Sequence, residues 1–287
     1  TLDPRSFPDA TRLLEGLESG EFSAEKLVRE HLNRLRARHS ELNAAIEILE
    51  EQALQRAATP GSGPLAGLPV TVKDNIAMSG YDITTGSIRM PPRPQTADAE
   101  VVKRIKAAGA VIIARTNTSE FTLSSETDNL RFGQTNNPLN PTYTPGGSSG
   151  GEAALVASGA SALGIGTDIG GSIRFPAHCC GLVGFKPAST AVDKTGLFPE
   201  TGGFTDSFNA CGPIVRSVRD ARLYYNLLAK TPAGEAPSLK DIQVYSPEDF
   251  FIKYKSPLIP GALEAGRRAL EGAGLPVQST SVPHAAQ

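Results

Sequence analysis

Residues 145 to 186 hold 11 of the chain's 29 glycines in 42 positions, where an even spread would place about four. The charged residues of that window are Glu152, Asp168, Arg174 and Lys186, and the remainder is rich in Ala, Leu, Val and Ile. A flexible linker would be polar as well as glycine-rich, so this stretch is expected inside a core, where small residues let neighbouring backbones approach. Within it, Gly146-Gly147-Ser148 and Gly170-Gly171-Ser172 form two turns whose serines lie 24 residues apart. A fold for this chain is expected to bury most of that stretch.

Composition narrows the class. In 287 residues, 28 Lys and Arg face 30 Asp and Glu, a formal charge of −2 that argues against binding a polyanion such as nucleic acid. With 39% hydrophobic and 20% charged residues the chain is globular and not disordered. Cys179, Cys180 and Cys211 are odd in number and include an adjacent pair, which suits a reducing, cytoplasmic setting better than a disulfide framework. His31, His39, His178 and His284 are scattered, no spacing resembles a zinc site, and neither metal nor cofactor is expected. The apolar run from Ala153 to Thr167 spans 15 residues, short of the roughly 20 that cross a bilayer, so no membrane segment is visible. The start, TLDPRSFPDA, lacks the basic and apolar regions of a signal peptide. Numbering begins at Thr1 without a Met, which is compatible with removal of an upstream segment.

The first 60 residues read as a helical layer, with Leu13, Leu14 and Leu17 on one face. A second amphipathic run follows Ser23 as N-cap and turns Leu27, Val28, Leu32 and Leu35 inward. Ala44 to Leu49 reads as a strand and Glu51 to Ala58 as a helix. Leu68 to Val72 is a strand stopping at Lys73, Asp98 to Ala108 a helix and Ala110 to Ala114 a strand, a βαβ spacing that implies parallel pairing. Gly151 to Ala160 reads as a helix of small residues and Ser217 to Ala229 as another. Ile242 to Tyr245, Pro260 to Glu271 and Leu275 to Val282 read as strand, helix and strand. The class is α/β with a largely buried mixed or parallel sheet.

Gly146-x-Ser148-x-Gly150 has the letters of a nucleophile elbow, but NNPLNPTYTP before it supplies no hydrophobic strand. No Gly-Lys-Ser/Thr follows to make a phosphate loop, and Gly164-x-Gly166 meets Ile169 where a dinucleotide fingerprint needs glycine. The first turn sits at a helix N-terminus, whose free N–H groups favour negative charge. The second offers consecutive N–H groups from Ile169, Gly170, Gly171 and Ser172, donors suited to an oxyanion. A hydroxyl beside such donors is an acyl-transfer arrangement, and it needs a base. Lys73, at a strand end facing a crevice, can be that base if desolvation lowers its pKa, or it can be an ordinary lysine ion-paired with Asp74.

GLPVTVKDNI around Lys73, together with PGGSSGGEAALVASGASALGIGTDIGGSIRFPAHCCGLVGFKP from Pro145 to Pro187, resembles the amidase signature family of amide hydrolases. The resemblance runs from about Leu42 to Ala229. It implies the amidase-signature α/β fold, a large mixed β-sheet covered by helices on both faces. On this view residues 1–60 are an N-terminal helical layer of one domain, 61–230 the catalytic core, and 231–287 an α/β extension. Family members continue beyond the segment ending at Val282-Pro283-His284, so the fold is expected to be incomplete at its C-terminus. The resemblance further implies Ser172 as nucleophile, Ser148 as a bridging serine on a cis peptide bond, and Lys73 as general base. Asp168 and Arg174, flanking the nucleophile, are expected to hydrogen-bond to the turns and hold Ser148 in place.

Three functions remain open on these residues. The first is a stand-alone amidase acting on a small-molecule amide, with no nucleic acid partner and room for a homodimer. The second is the glutaminase subunit of a tRNA-dependent amidotransferase, which Ser124-Ser125-Glu126-Thr127-Asp128-Asn129 resembles. That subunit typically reads Ser-Leu-Asp-Gln-Ile-Gly-Pro and Arg-Gln-Pro where this chain has Ser207 to Pro213 as SFNACGP and Arg174-Phe175-Pro176, departures that favour the hydrolase. The third is a truncated, non-catalytic homologue. Phe198, Phe204 and Phe208 suggest either an apolar acyl pocket or simple packing.

Overall fold

The computed structural model describes residues 2–235, 237–247 and 258–280. Two compact units divide the chain, Thr1–Ala233 and Gly234–Gln287. In the first, α1 (Ala10–Glu18) and α2 (Ala24–Leu42) precede β1 (Ala45–Ile48) and α3 (Glu50–Ala58). Ser23 caps α2 by accepting the Lys26 N–H at 3.2 Å, and Asn43 ends it in the left-handed region at φ 46°. Then come β2 (Pro69–Lys73), α4 (Glu100–Ala107), β3 (Val111–Thr116), α5 (Gly150–Ala157) and β4 (Leu163–Asp168). The unit continues through α6 (Arg174–Cys179), β5 (Val183–Gly184), α7 (Gly203–Asp206), β6 (Ala210–Val215) and α8 (Val218–Leu228). Helix α4 starts two residues later than its sequence signal. Asp98 is instead drawn out of the helix to accept from the Ser79 N–H at 2.8 Å and Lys106 Nζ at 2.8 Å.

The strands form one six-stranded mixed sheet in the order β1-β3-β2-β4-β6-β5. Strands β2, β3 and β4 run parallel, as the βαβ spacing implies, while β1, β5 and β6 are antiparallel to their neighbours. Helices cover both faces. Ile112 packs with Val70, Leu163, Ile105 and Tyr224 on one side, and its neighbours Val111 and Ile113 pack with Leu32, Leu35 and Leu155 on the other. Every residue of β2, β3 and β4 is buried, which is why β2 and β3 read as continuous runs.

Periodicity misses three strands, the two-residue β5 among them. In β4, Gly164 and Gly166 remove the β-branched signature, and in β6 Gly212-Pro213 resembles a turn. Gly164 is required by close approach, since a Cβ there would lie 2.5 Å from Glu152 Oε2 of α5. Helix α5 is correspondingly buried all round.

The second unit contains β7 (Val244–Pro247), α9 (Leu258–Gly272) and β8 (Val277–Thr280), with β7 and β8 parallel. The strand thus starts two residues after the expected Ile242, and the helix two residues before Pro260, which remains in its first turn. The expected strand end at Val282, the segment Val282-Pro283-His284 and His284 itself lie outside the described residues.

Candidate active site

Parallel β2 and β4 are neighbours, so their carboxyl ends reach the same edge of the sheet, the usual place for a ligand crevice in an α/β fold. Lys73 is the last residue of β2, and Thr167 and Asp168 are the last two of β4. The turn before α5 arrives at the same edge, where the Ser149 N–H donates to the Ser172 carbonyl at 3.2 Å and joins the two glycine-serine turns.

Lys73 and Ser148 are both buried, and Lys73 Nζ lies 2.6 Å from Ser148 Oγ. Lys73 Nζ also lies 3.0 Å from Thr167 Oγ1, which Asn75 Nδ2 contacts at 3.1 Å. The Gly147–Ser148 peptide bond is cis. Thr118 Oγ1 donates to the Ser148 carbonyl at 2.8 Å and fixes that turn from the loop after β3. Burial pulls the Lys73 ammonium down to about 7, against the partial opposition of the Glu152 and Asp168 carboxylates. The alternative of an ion pair with Asp74 is not what the fold forms. Asp74 bonds to Arg115, leaving Lys73 among hydroxyls.

Ser172 is half-buried and lines a cavity of about 560 Å³ together with Ser148, Leu123, Phe175 and Phe198. Its hydroxyl makes no hydrogen bond among the described residues, so the Lys73–Ser148 contact does not extend to Ser172. The N–H groups of Ile169, Gly170 and Ser172 face no acceptor among the described residues. Gly171 differs from the expectation, because its N–H donates to Asp168 Oδ1 at 2.8 Å.

Asp168 and Arg174 also depart from expectation in what they hold. The Asp168 carboxylate accepts from the N–H groups of Gly171, Ile173 and Arg174, so it anchors the turn carrying Ser172 and not Ser148. Burial pushes that carboxyl up, but the Arg174 guanidinium and the backbone donors outweigh it and hold it below its ordinary value. Arg174 meets Asp168 through two bonds of 3.0 and 2.9 Å, yet its own side chain is 54% exposed and not in an apolar setting. Of the three phenylalanines, Phe198 lines the cavity, while Phe204 and Phe208 pack edge-to-face against each other at 5.0 Å and remain exposed.

Sequence reasoning passed over Asn75, Thr167, Thr118 and Glu152. Asn75 stands two residues from Lys73, and a threonine at the end of a buried strand was the available signal for Thr167. Thr118 is placed by tertiary structure alone. Among the described residues no three His, Cys, Asp or Glu side chains converge as a metal site, and no helix is long and apolar enough to cross a membrane.

Sequence and fold also match known proteins. The Amidase family model matches residues 26–284. The glutamyl-tRNA(Gln) amidotransferase A subunit of Salinibacter ruber (strain DSM 13855 / M31) is 35% identical over 97% of this chain and 58% of its own length. A solved amidase superposes with a TM-score of 0.86 at 32% identity, covering 96% of this chain and 64% of that one. Native peptide amidase from Stenotrophomonas maltophilia superposes with a TM-score of 0.85 at 30% identity, covering 96% of this chain and 62% of that one. The chain therefore spans less than two thirds of the length of each of these relatives. With the sheet-edge site, the two joined turns and these matches pointing one way, the chain belongs to the Amidase family.

Proposed function

We propose that this chain hydrolyses a carboxylic amide to an acid and ammonia or an amine through an acyl-enzyme on Ser172. The carrying observation is the buried 2.6 Å contact between Lys73 Nζ and Ser148 Oγ. A lysine with its pKa drawn to about 7 supplies a neutral amine near neutral pH. Ser172 Oγ attacks the amide carbonyl carbon while its proton passes to Ser148, whose own proton passes to Lys73. The oxyanion is met by N–H groups drawn from Ile169, Gly170 and Ser172. As the C–N bond breaks, the proton returns through Ser148 to the leaving nitrogen. Water then adds to the acyl carbon by the same relay, releasing the acid and restoring Ser172.

Leu123, Phe175 and Phe198 line the cavity, which suits an uncharged, apolar acyl group. A second reading, the glutaminase subunit of a tRNA-dependent amidotransferase, is favoured by the name of the Salinibacter relative. Against it, Phe175, the middle residue of Arg174-Phe175-Pro176, is itself a cavity residue, so this departure from the subunit's pattern falls where substrate would sit.

The test assays the purified chain alone on acetamide, on longer alkyl and aryl acyl amides, and on glutamine. Release of ammonia or amine by wild type and its loss in Ser172→Ala is expected, with apolar acyl amides preferred over glutamine. Equal rates in both proteins would sink the hydrolase assignment. Turnover of glutamine alone, and only with partner proteins added, would select the second reading.

A further inference from the structure

Beneath the proposed relay lies a carboxyl group that the reaction does not use. Glu152, in the first turn of α5, is buried completely. Thr71 Oγ1 of β2 donates to its Oε2, Thr116 Oγ1 of β3 donates to its Oε1 at 2.8 Å, and Gly164 of β4 makes room for it. One side chain from α5 therefore rests across three adjacent strands. Thr71 and Lys73 are two residues apart on β2, so they share a face and sit on the order of 7 Å from each other along it.

The other ionisable groups around this point are already compensated or neutral. Asp168 at the end of β4 is paired with Arg174, and Asp74, next after Lys73, is paired with Arg115. Burial pushes the Cys211 thiol of β6 up to about 12 and the Tyr224 phenol of α8 well above its ordinary value, so both stay protonated. Burial likewise pushes Glu152 up to about 8. Among these neighbours Glu152 is the remaining acid near Lys73 without an arginine partner. An amine and a carboxyl buried together avoid an isolated charge only when they carry one proton between them, as ammonium with carboxylate or as amine with carboxylic acid.

The geometry points to Glu152 as a positioning residue that shares one proton with Lys73 and so sets the pH at which the Lys73 amine becomes free. This rests on the reading of Lys73 as the base, but it is testable without turnover. In wild type, Lys73 becomes wholly neutral only once the pair has lost both protons, so its titration is drawn out over two steps. In Glu152→Gln the carboxyl is gone while size and hydrogen bonding are nearly kept. Lys73 should then titrate in a single step with its midpoint lower by about one pH unit.

The experiment follows the Lys73 side-chain NMR resonance of isotopically labelled lysine against pH, the signal being assigned by its loss in Lys73→Met. A downward shift in Glu152→Gln supports the pairing, and superimposable titrations overturn it. Should Glu152→Gln fail to fold, Thr116→Val carries the test. Removing that donor disfavours the ionised carboxyl, so a smaller shift in the same direction is expected, and no shift overturns the proposal. In parallel, the acidic limb of the kcat/KM profile on an active amide should move to lower pH with the NMR midpoint. A shifted midpoint in a chain that turns over no amide would leave the pairing standing and remove the hydrolase reading instead.

Discussion

Asp168 and Arg174 look equivalent in sequence, one on either side of the Ser172 turn, but they differ as residues in the fold. Asp168 gathers three backbone N–H groups of the turn, while Arg174 touches that turn's anchor from the solvent side. Asp168→Asn keeps the size but offers one acceptor oxygen and an NH2 group where several donors converge. That should cost about 2–3 kcal/mol of stability and reduce turnover at least tenfold by loosening the turn. Arg174→Ala leaves all three backbone bonds in place, and its exposed ion pair should contribute less than about 1 kcal/mol. Thermal melts and steady-state rates of the two variants check this, and equal damage from both would transfer the anchoring role to the ion pair. The positions of Lys73, Ser148 and Ser172 stood out because Gly-Gly-Ser turns and a strand-end lysine are local patterns, while their roles came from the family resemblance. What Asp168 holds was not legible, because the direction of a carboxylate is decided by the path of the turn that follows it.

At the level of elements, one close junction joins α5 to the loop after β3 and the residue before β1. A Cβ on Gly151 would lie 2.5 Å from the Asn117 carbonyl oxygen and 2.7 Å from both the Ala44 carbonyl oxygen and the Asn117 nitrogen. These are backbone atoms that cannot rotate away, so Gly151→Ala must displace the helix or the loop. We expect a loss of about 2–3 kcal/mol in urea denaturation and a weaker Lys73–Ser148 contact, seen as reduced turnover. An unchanged midpoint would mean that α5 can slide, and the close packing would lose its structural importance. The same closeness explains which elements could be read. Helices α1, α2 and α8 carry side-chain caps, from Asp9, Ser23 and Ser217, and apolar faces, all of which are visible in order along the chain. Strand β4 is different: its glycines exist to admit Glu152 and Ser149 from α5 and the turn before it, a tertiary demand that erases the local strand pattern.

Across the whole molecule, buried groups with displaced pKa values set how stability answers to pH. His31 on α2 is buried, with Nδ1–H donating to the Leu27 carbonyl at 2.9 Å, and burial pulls its pKa from 6.5 to about 3. The unfolded chain therefore takes up that proton first, and His31 makes stability rise with pH between about 3 and 6.5. Glu152 acts with the opposite sign. Burial raises it from 4.5 to about 8, so the folded chain holds a proton that the unfolded chain has lost, and stability falls with rising pH between 4.5 and 8. Where the windows overlap, from about 4.5 to 6.5, each group tilts the stability by about 1.4 kcal/mol per pH unit and the two cancel. Asp9, held near 2 by Arg219 against its own burial, acts below this range. Lys73, drawn from 10.5 to about 7, acts above it. Asp74, raised from 3.8 by burial against the Arg115 guanidinium, adds to the falling side, so the wild-type urea midpoint should change little or fall slightly between about pH 5 and 6.5. His31→Gln should make the midpoint fall with rising pH across that interval, and Glu152→Gln should make it rise. Parallel profiles in all three proteins would mean that neither group is held in the protonation state its burial demands.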